Sequence, residues 1–167
     1  MKNSNIVCLG VDPGLARVGY GAVKRTETGL VALNYGCIET NPHMSFTERL
    51  LFIHKALQEQ ITLCNPDMMS VERLFFGKNV KTAEYVYQAR GVIMLLAGVN
   101  NLPVIEPTPT RIKLSLCGTI KADKHTVQDT IRELLFLEAN PKPDDTADAL
   151  AAAVVGLSLA AQNFDGS

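Results

Sequence analysis

The run Ile6–Val11 is apolar throughout and stops abruptly at Asp12-Pro13-Gly14. An uninterrupted apolar run of this length, closed by a turn signal, reads as a strand buried on both faces. Pro13 removes a backbone donor and Gly14 permits positive φ, so Asp12 stands where the strand stops and the chain turns. A carboxylate projecting there enters a crevice with low-dielectric walls. It needs a proton, a basic side chain or a metal to neutralise it. The structural alternative is a plain turn, with Asp12 bonded to its own backbone.

Two further β-like segments follow, Val18–Arg25 and Leu30–Glu39, with Gly14 and Thr28-Gly29 as punctuation. Such short connections imply antiparallel neighbours. Ser45-Phe-Thr-Glu48 is a capping box, and Leu50, Ile53, Leu57 and Ile61 recur at helical spacing to about Leu63. Met68–Glu72 is a short strand. Asn79 caps a helix to about Gly98, whose apolar second half is either central in the core or pressed against another subunit. Pro103–Glu106 is the fifth strand. Thr108-Pro109 starts a helix to about Leu116, and Asp123 caps another that buries Val127, Ile131, Leu134 and Leu135. Pro141 and Pro143 precede an Ala-rich helix, Asp144–Ala161. The expectation is an α/β fold: a five-stranded mixed sheet, its first three strands antiparallel, flanked by helices on both faces. A length of 167 residues without repeat or linker fits one domain over 1–167.

Cys8, Cys37, Cys64 and Cys117 are widely spaced, with no C-x-x-C pair, which argues against zinc and for reduced, packed thiols. The apolar runs are too short for a signal core or a bilayer span, so a cytoplasmic protein is expected. Net charge is −1, but residues 73–132 carry nine Lys/Arg against four acids. A basic half beside an acidic cluster suits a phosphate backbone brought up to a cation-filled site, and a solvated basic face is the alternative.

Asp12 ends the first strand and Glu72 the fourth. Were these parallel neighbours, both carboxylates would point into one crevice at the sheet's carboxyl end. Asp145 and Asp148 lie one turn apart on one face of the last helix. Their competing reading is a capping box, with Asp144 as another possible cap. Four converging acids would repel one another, and hard divalent cations remove that cost. Two ions about 4 Å apart suit in-line phosphoryl displacement.

These residues resemble the RuvC-type Holliday-junction resolvases of the ribonuclease H-like superfamily. The resemblance rests on Gly10–Gly14 with Gly19-Tyr-Gly21, Val71–Asn79, Gln88–Gly91, Ala122-Asp-Lys124, Asn140-Pro141 and Asp145–Leu150, in order along nearly the whole chain. It implies a homodimeric endonuclease that cuts four-way DNA junctions symmetrically for recombination and repair, partnered by the RuvA–RuvB branch-migration complex. It implies Asp12, Glu72, Asp145 and Asp148 as ligands of two Mg²⁺, with Mn²⁺ as a substitute. It places Lys113 and Lys124 near the scissile phosphate and Phe75 against opened bases, while which of Phe75 and the adjacent Phe76 is instead buried stays open. Lys78, Lys81, Arg90, Arg111 and Lys121 are further candidates for backbone contacts. Two departures, Gly118-Thr-Ile120 in place of a Gly-x-Gly pair and Lys124-His-Thr-Val127 in place of Lys-x-Gln-Val, lie in the DNA-facing segment. The rivals are a junction-binding scaffold that does not cut and an actin-like or sugar-kinase ATPase. The second needs another phosphate-binding hairpin and far more chain.

Overall fold

The computed structural model describes residues 5–75 and 80–164, without the side chains of 80–82 and 163–164. β1 (Ile6–Asp12), β2 (Arg17–Thr26) and β3 (Gly29–Glu39) form an antiparallel meander. α1 (Phe46–Cys64) leads to β4 (Met68–Val71), α2 (Val80–Val99) to β5 (Val104–Ile105). Then come α3 (Pro109–Cys117), α4 (Lys124–Leu134) and α5 (Asp144–Phe164). The sheet order is β3-β2-β1-β4-β5, with β4 parallel to both β1 and β5.

Period-two alternation decides which face each side chain meets. Val7, Leu9 and Val11 of β1 and Met69 and Val71 of β4 pack against Ile53, Leu57, Ile93 and Leu96 of α1 and α2. Cys8 and Met68 face the opposite layer, with α3, α4 and α5. Asp12 continues the second set, and so does Glu72, one residue past the Val11–Val71 pair. Both acids therefore lie on the α5 side of adjacent parallel strands.

The expected caps of α1, α3 and α4 are present. Ser45 and Glu48 close a reciprocal box, Thr108 accepts from the Arg111 amide, and Asp123 accepts from the Thr126 amide. Asn79 lies outside the described residues. Two expectations need correction. Leu134 is 41% exposed, and Gln128 takes a buried place on α4 instead. The helical phase sets Gln128 one turn after Lys124, on the side that faces α5. The last helix opens at Asp144, so neither Asp144 nor Asp145 stands outside it as the cap, and the Thr146 amide donates to the Pro143 carbonyl. Of the apolar half of α2, Ile93, Leu96 and Ala97 are buried while Leu95 and Val99 are exposed. It is partly core and partly open face.

Glycines let α5 lie directly on the sheet. A Cβ at Gly10 would fall 1.9 Å from the Ala149 carbonyl oxygen and 2.6 Å from the Ala153 nitrogen. At Gly19 it would fall 1.9 Å from the Asp145 backbone carbonyl oxygen, and at Gly21 2.6 Å from Leu150 Cδ2. Gly10 and Gly21 are cross-strand partners, and Gly19 is the partner of Asp12. The cleared track runs along β1 and β2 and ends beside the first acid. Gly10→Ala should lower the free energy of unfolding by about 1–3 kcal/mol, the usual cost of forcing a methyl into a packed core. Urea denaturation with an unchanged m-value checks it, and a midpoint matching wild type would deny the close approach.

Candidate active site

Four acids approach one another where β1, β4 and the start of α5 converge. Asp12 is mostly buried, and its carboxyl is pushed up to about 8. Burial is the leading cause, followed by the charges of Asp148, Glu72 and Asp145, with Lys124 opposing them. The Glu72 carboxyl is pushed up to about 7, by burial and then by Asp148, again against Lys124. Burial also raises Asp148, partly offset by Lys124. These mutual effects mark one electrostatic unit built from three distant parts of the chain.

The α5 acids owe their place to the glycine track. Asp145 sits over Gly19, which is paired with Asp12 in the sheet. Asp148 follows one turn later and lines a crevice of about 240 Å³ together with Glu72, Lys113, Lys124, Pro109, Ile112, Val127 and Ala151. Lys124 Nζ is 3.5 Å from Asp148 Oδ2 and 3.3 Å from Asp144 Oδ2. The crevice thus has an acidic floor and two lysines, one from α3 and one from α4.

The donor set is carboxylate oxygen, which fits a hard divalent cation and no soft metal. Excess negative charge around a buried Asp12 is the electrostatic condition such a cation relieves. Among the described residues no three acidic, His or Cys side chains are drawn tightly enough together to enclose an ion. Glu72 and Asp148 face the crevice, Asp12 and Asp145 stand beside it and interact through their charges, and the acids form no closed cage among the described residues. The four cysteines are unpaired and take no part in a metal cluster among the described residues.

The remaining sequence candidates fall in several environments. Phe75, three residues past Glu72, is 66% exposed. Lys121 is exposed in the turn before α4. Arg111 is exposed, and its guanidinium donates to Gln162 Oε1 at 3.1 Å. Arg90 is mostly buried, and its guanidinium is taken up by Glu106. Lys78, Phe76 and the side chain of Lys81 lie outside the described residues. Asp144 and Gln128 were missed by sequence reasoning as site residues. Gln128 Nε2 donates to Asp144 Oδ1 at 3.0 Å, behind Lys124. The sequence signal was the i, i+4 spacing of Lys124 and Gln128, which puts both on one face of α4.

Comparison with known proteins gives the family and the fold. A sequence model of the family described as crossover junction endodeoxyribonuclease RuvC matches residues 8–156. The chain is 46% identical over 155 residues to the crossover junction endodeoxyribonuclease RuvC of Moorella thermoacetica, with 93% of each chain covered. It is 44% identical over 149 residues to that of Clostridioides difficile, covering 89% of this chain and 88% of the relative. The structure of T. thermophilus RuvC in complex with a Holliday junction substrate superposes with a TM-score of 0.89 at 30% identity, over 95% of this chain and 96% of that one. The yeast mitochondrial Holliday junction resolvase Ydc2 shares the fold, with a TM-score of 0.66 at 17% identity, over 93% of this chain and 79% of that one.

The sheet order and these likenesses define a ribonuclease H-like nuclease. More narrowly, the chain belongs to the RuvC family of crossover junction endodeoxyribonucleases.

The raised carboxyls make stability depend on pH in a direction opposite to that of a paired acid. Unfolded, Asp12 ionises near its ordinary value of about 4. Folded, it keeps its proton until about pH 8. Stability from this group is present at low pH and is lost as pH rises toward and through 8. In chelator, thermal melting should therefore decline between pH 5.5 and 8.5, and Asp12→Asn should flatten much of that decline. An identical slope in the variant would contradict the assignment.

Proposed function

We propose that this chain resolves four-way DNA junctions by metal-dependent hydrolysis of two symmetric phosphodiesters, acting as one domain over 1–167 in the cytoplasm. The observation that carries it is the mutual electrostatic influence of Asp12, Glu72, Asp145 and Asp148, two of which, Glu72 and Asp148, line one crevice with Lys113 and Lys124.

Asp12, Glu72, Asp145 and Asp148 would hold Mg²⁺, two ions per site, with Mn²⁺ as a substitute. Such ions supply an activated water and charge stabilisation at the leaving oxygen. The protein's own residues do the rest. Lys113 and Lys124 neutralise phosphate charge at the crevice, and burial around Asp12 keeps the site's dielectric low, which strengthens that attraction. Phe75 offers a stacking face to an unpaired base, worth about 1–3 kcal/mol. Arg111, in the first turn of α3, and Lys121, in the turn between α3 and α4, are exposed and suit contacts to the DNA backbone. Lys78 and Lys81 extend the basic stretch of the sequence, and Arg90 braces α2 against the chain after β5 through Glu106. Branch-migration proteins RuvA and RuvB would be the partners that present the junction.

Two symmetric cuts call for two active sites in fixed relation, hence a homodimer. The open face of α2 is the proposed contact. Gln88, Gly91, Leu95 and Gly98 follow at helical spacing, all exposed, with Tyr85 and Val99 beside them. Gly91 and Gly98 meet nothing within 4 Å, which leaves room for a close neighbour. On α1, Leu51 and Phe52 are exposed as well.

A synthetic four-way junction tests the chemistry. Nicking should require Mg²⁺ or Mn²⁺ and stop with EDTA, while plain duplex stays intact. Asp145→Asn should retain junction binding and lose at least about 100-fold in nicking, the upper range for disturbing partners of a metal ligand. Full nicking by this variant would favour the scaffold reading of the acids. For the dimer, Leu95→Glu should shift sedimentation toward monomer and uncouple the two cuts. A wild-type chain that is monomeric at micromolar concentration would remove the proposed contact.

A further inference from the structure

We propose that Asp144 is a positioning residue for cleavage, holding the Lys124 ammonium at the crevice through a carboxylate that Gln128 fixes from behind. This rests on the reading of the site as a junction nuclease.

The geometry joins two helix starts. Lys124 is the first residue of α4 and Asp144 the first of α5. One Asp144 oxygen lies 3.3 Å from Lys124 Nζ, and the other accepts from Gln128 Nε2 at 3.0 Å. Gln128 is 6% exposed, so its amide is held by packing. Lys124 and Gln128, one turn apart on α4, each hold one oxygen of a single carboxylate. An exposed ion pair alone orients a lysine poorly, because the long side chain keeps its rotamer freedom. A carboxylate anchored by a buried amide is a fixed target and reduces that freedom.

Asp148 also reaches Lys124, at 3.5 Å. It belongs to the group of acids proposed to hold cations, and an oxygen committed to a cation is a weaker partner for the amine. Asp144 stands outside that group. It keeps a carboxylate on Lys124 in either condition, so the amine stays near the scissile phosphate without collapsing onto the acids. Lys142 Nζ, 3.9 Å from the other Asp144 oxygen, balances the remaining charge from the solvent side.

Asp144 acts through Lys124, which a double-mutant cycle reads directly. With Mg²⁺ and a saturating four-way junction, Asp144→Asn should slow single-turnover nicking about three- to tenfold while junction Kd stays within twofold. Gln128→Leu should give a similar but smaller loss, and Asp144→Glu should recover part of the rate. In a Lys124→Met background, Asp144→Asn should have no further effect. Losses that multiply in the double variant would overturn the proposal, as would an unchanged rate in Asp144→Asn. A second readout does not need cleavage. In the metal-free chain, NMR relaxation of the Lys124 ¹⁵Nζ should show a more mobile amine in Asp144→Asn and Gln128→Leu than in wild type. Equal mobility would refute the anchoring itself. A wild type that leaves junctions uncut but shows the ordered amine would instead overturn the nuclease reading.

Discussion

The structure depends on how close one helix comes to one pair of strands. Glycines at 10, 19 and 21 remove the side chains that would otherwise stand between β1, β2 and α5, and the helix answers with Ala149 and Ala153. A methyl on any of these glycines would overlap α5. The consequence is chemical as well as mechanical. The beginning of α5, with Asp145 and Asp148, is brought down beside the end of β1, where Asp12 leaves the sheet. Packing of small residues thus sets the distances on which the electrostatics rely.

Once assembled, the acids work against their own ionisation. Burial is the first cause for Asp12 and Glu72, and the neighbouring carboxylates add to it. Among the described residues, Lys124 is the cation that lowers both. A site arranged this way costs stability unless a positive charge enters, and that is the physical sense in which it is built for a cation rather than for itself. The opposite layer tells a plainer story. α1 and α2 bury aliphatic side chains against Val7, Leu9 and Val11 and leave an open face on α2.

Much of this was legible in the sequence because local physics and tertiary structure agree there. The run Ile6–Asp12 is a strand with the expected ends, and the caps at Ser45, Thr108 and Asp123 form as their side chains dictate. The parallel pairing of β1 with β4, which the sequence posed only as the condition for Asp12 and Glu72 to meet, is present. What stayed hidden was set by packing between distant segments. Nothing local distinguishes Gly19 in a turn-rich stretch from Gly19 as a seat for α5. Helical periodicity assigned Leu134 to the core, whereas the side of α4 that meets α5 belongs to Gln128. Local rules made the first acids of α5 caps, but Asp144 spends its carboxylate on Gln128 and Lys124 instead. Arg90, a sequence candidate for a DNA backbone contact, is paired with Glu106.

Helix and sheet are pressed together so that Glu72 and Asp148, from separate segments, share one crevice and act on Asp12 beside it. Anomalous diffraction from crystals grown with Mn²⁺ looks at that crevice directly. The expected result is strong metal density among Asp12, Glu72, Asp145 and Asp148, with α5 seated on the glycines of β1 and β2. Maps with no metal at these acids at millimolar Mn²⁺, or with the ion held elsewhere on the chain, would contradict it.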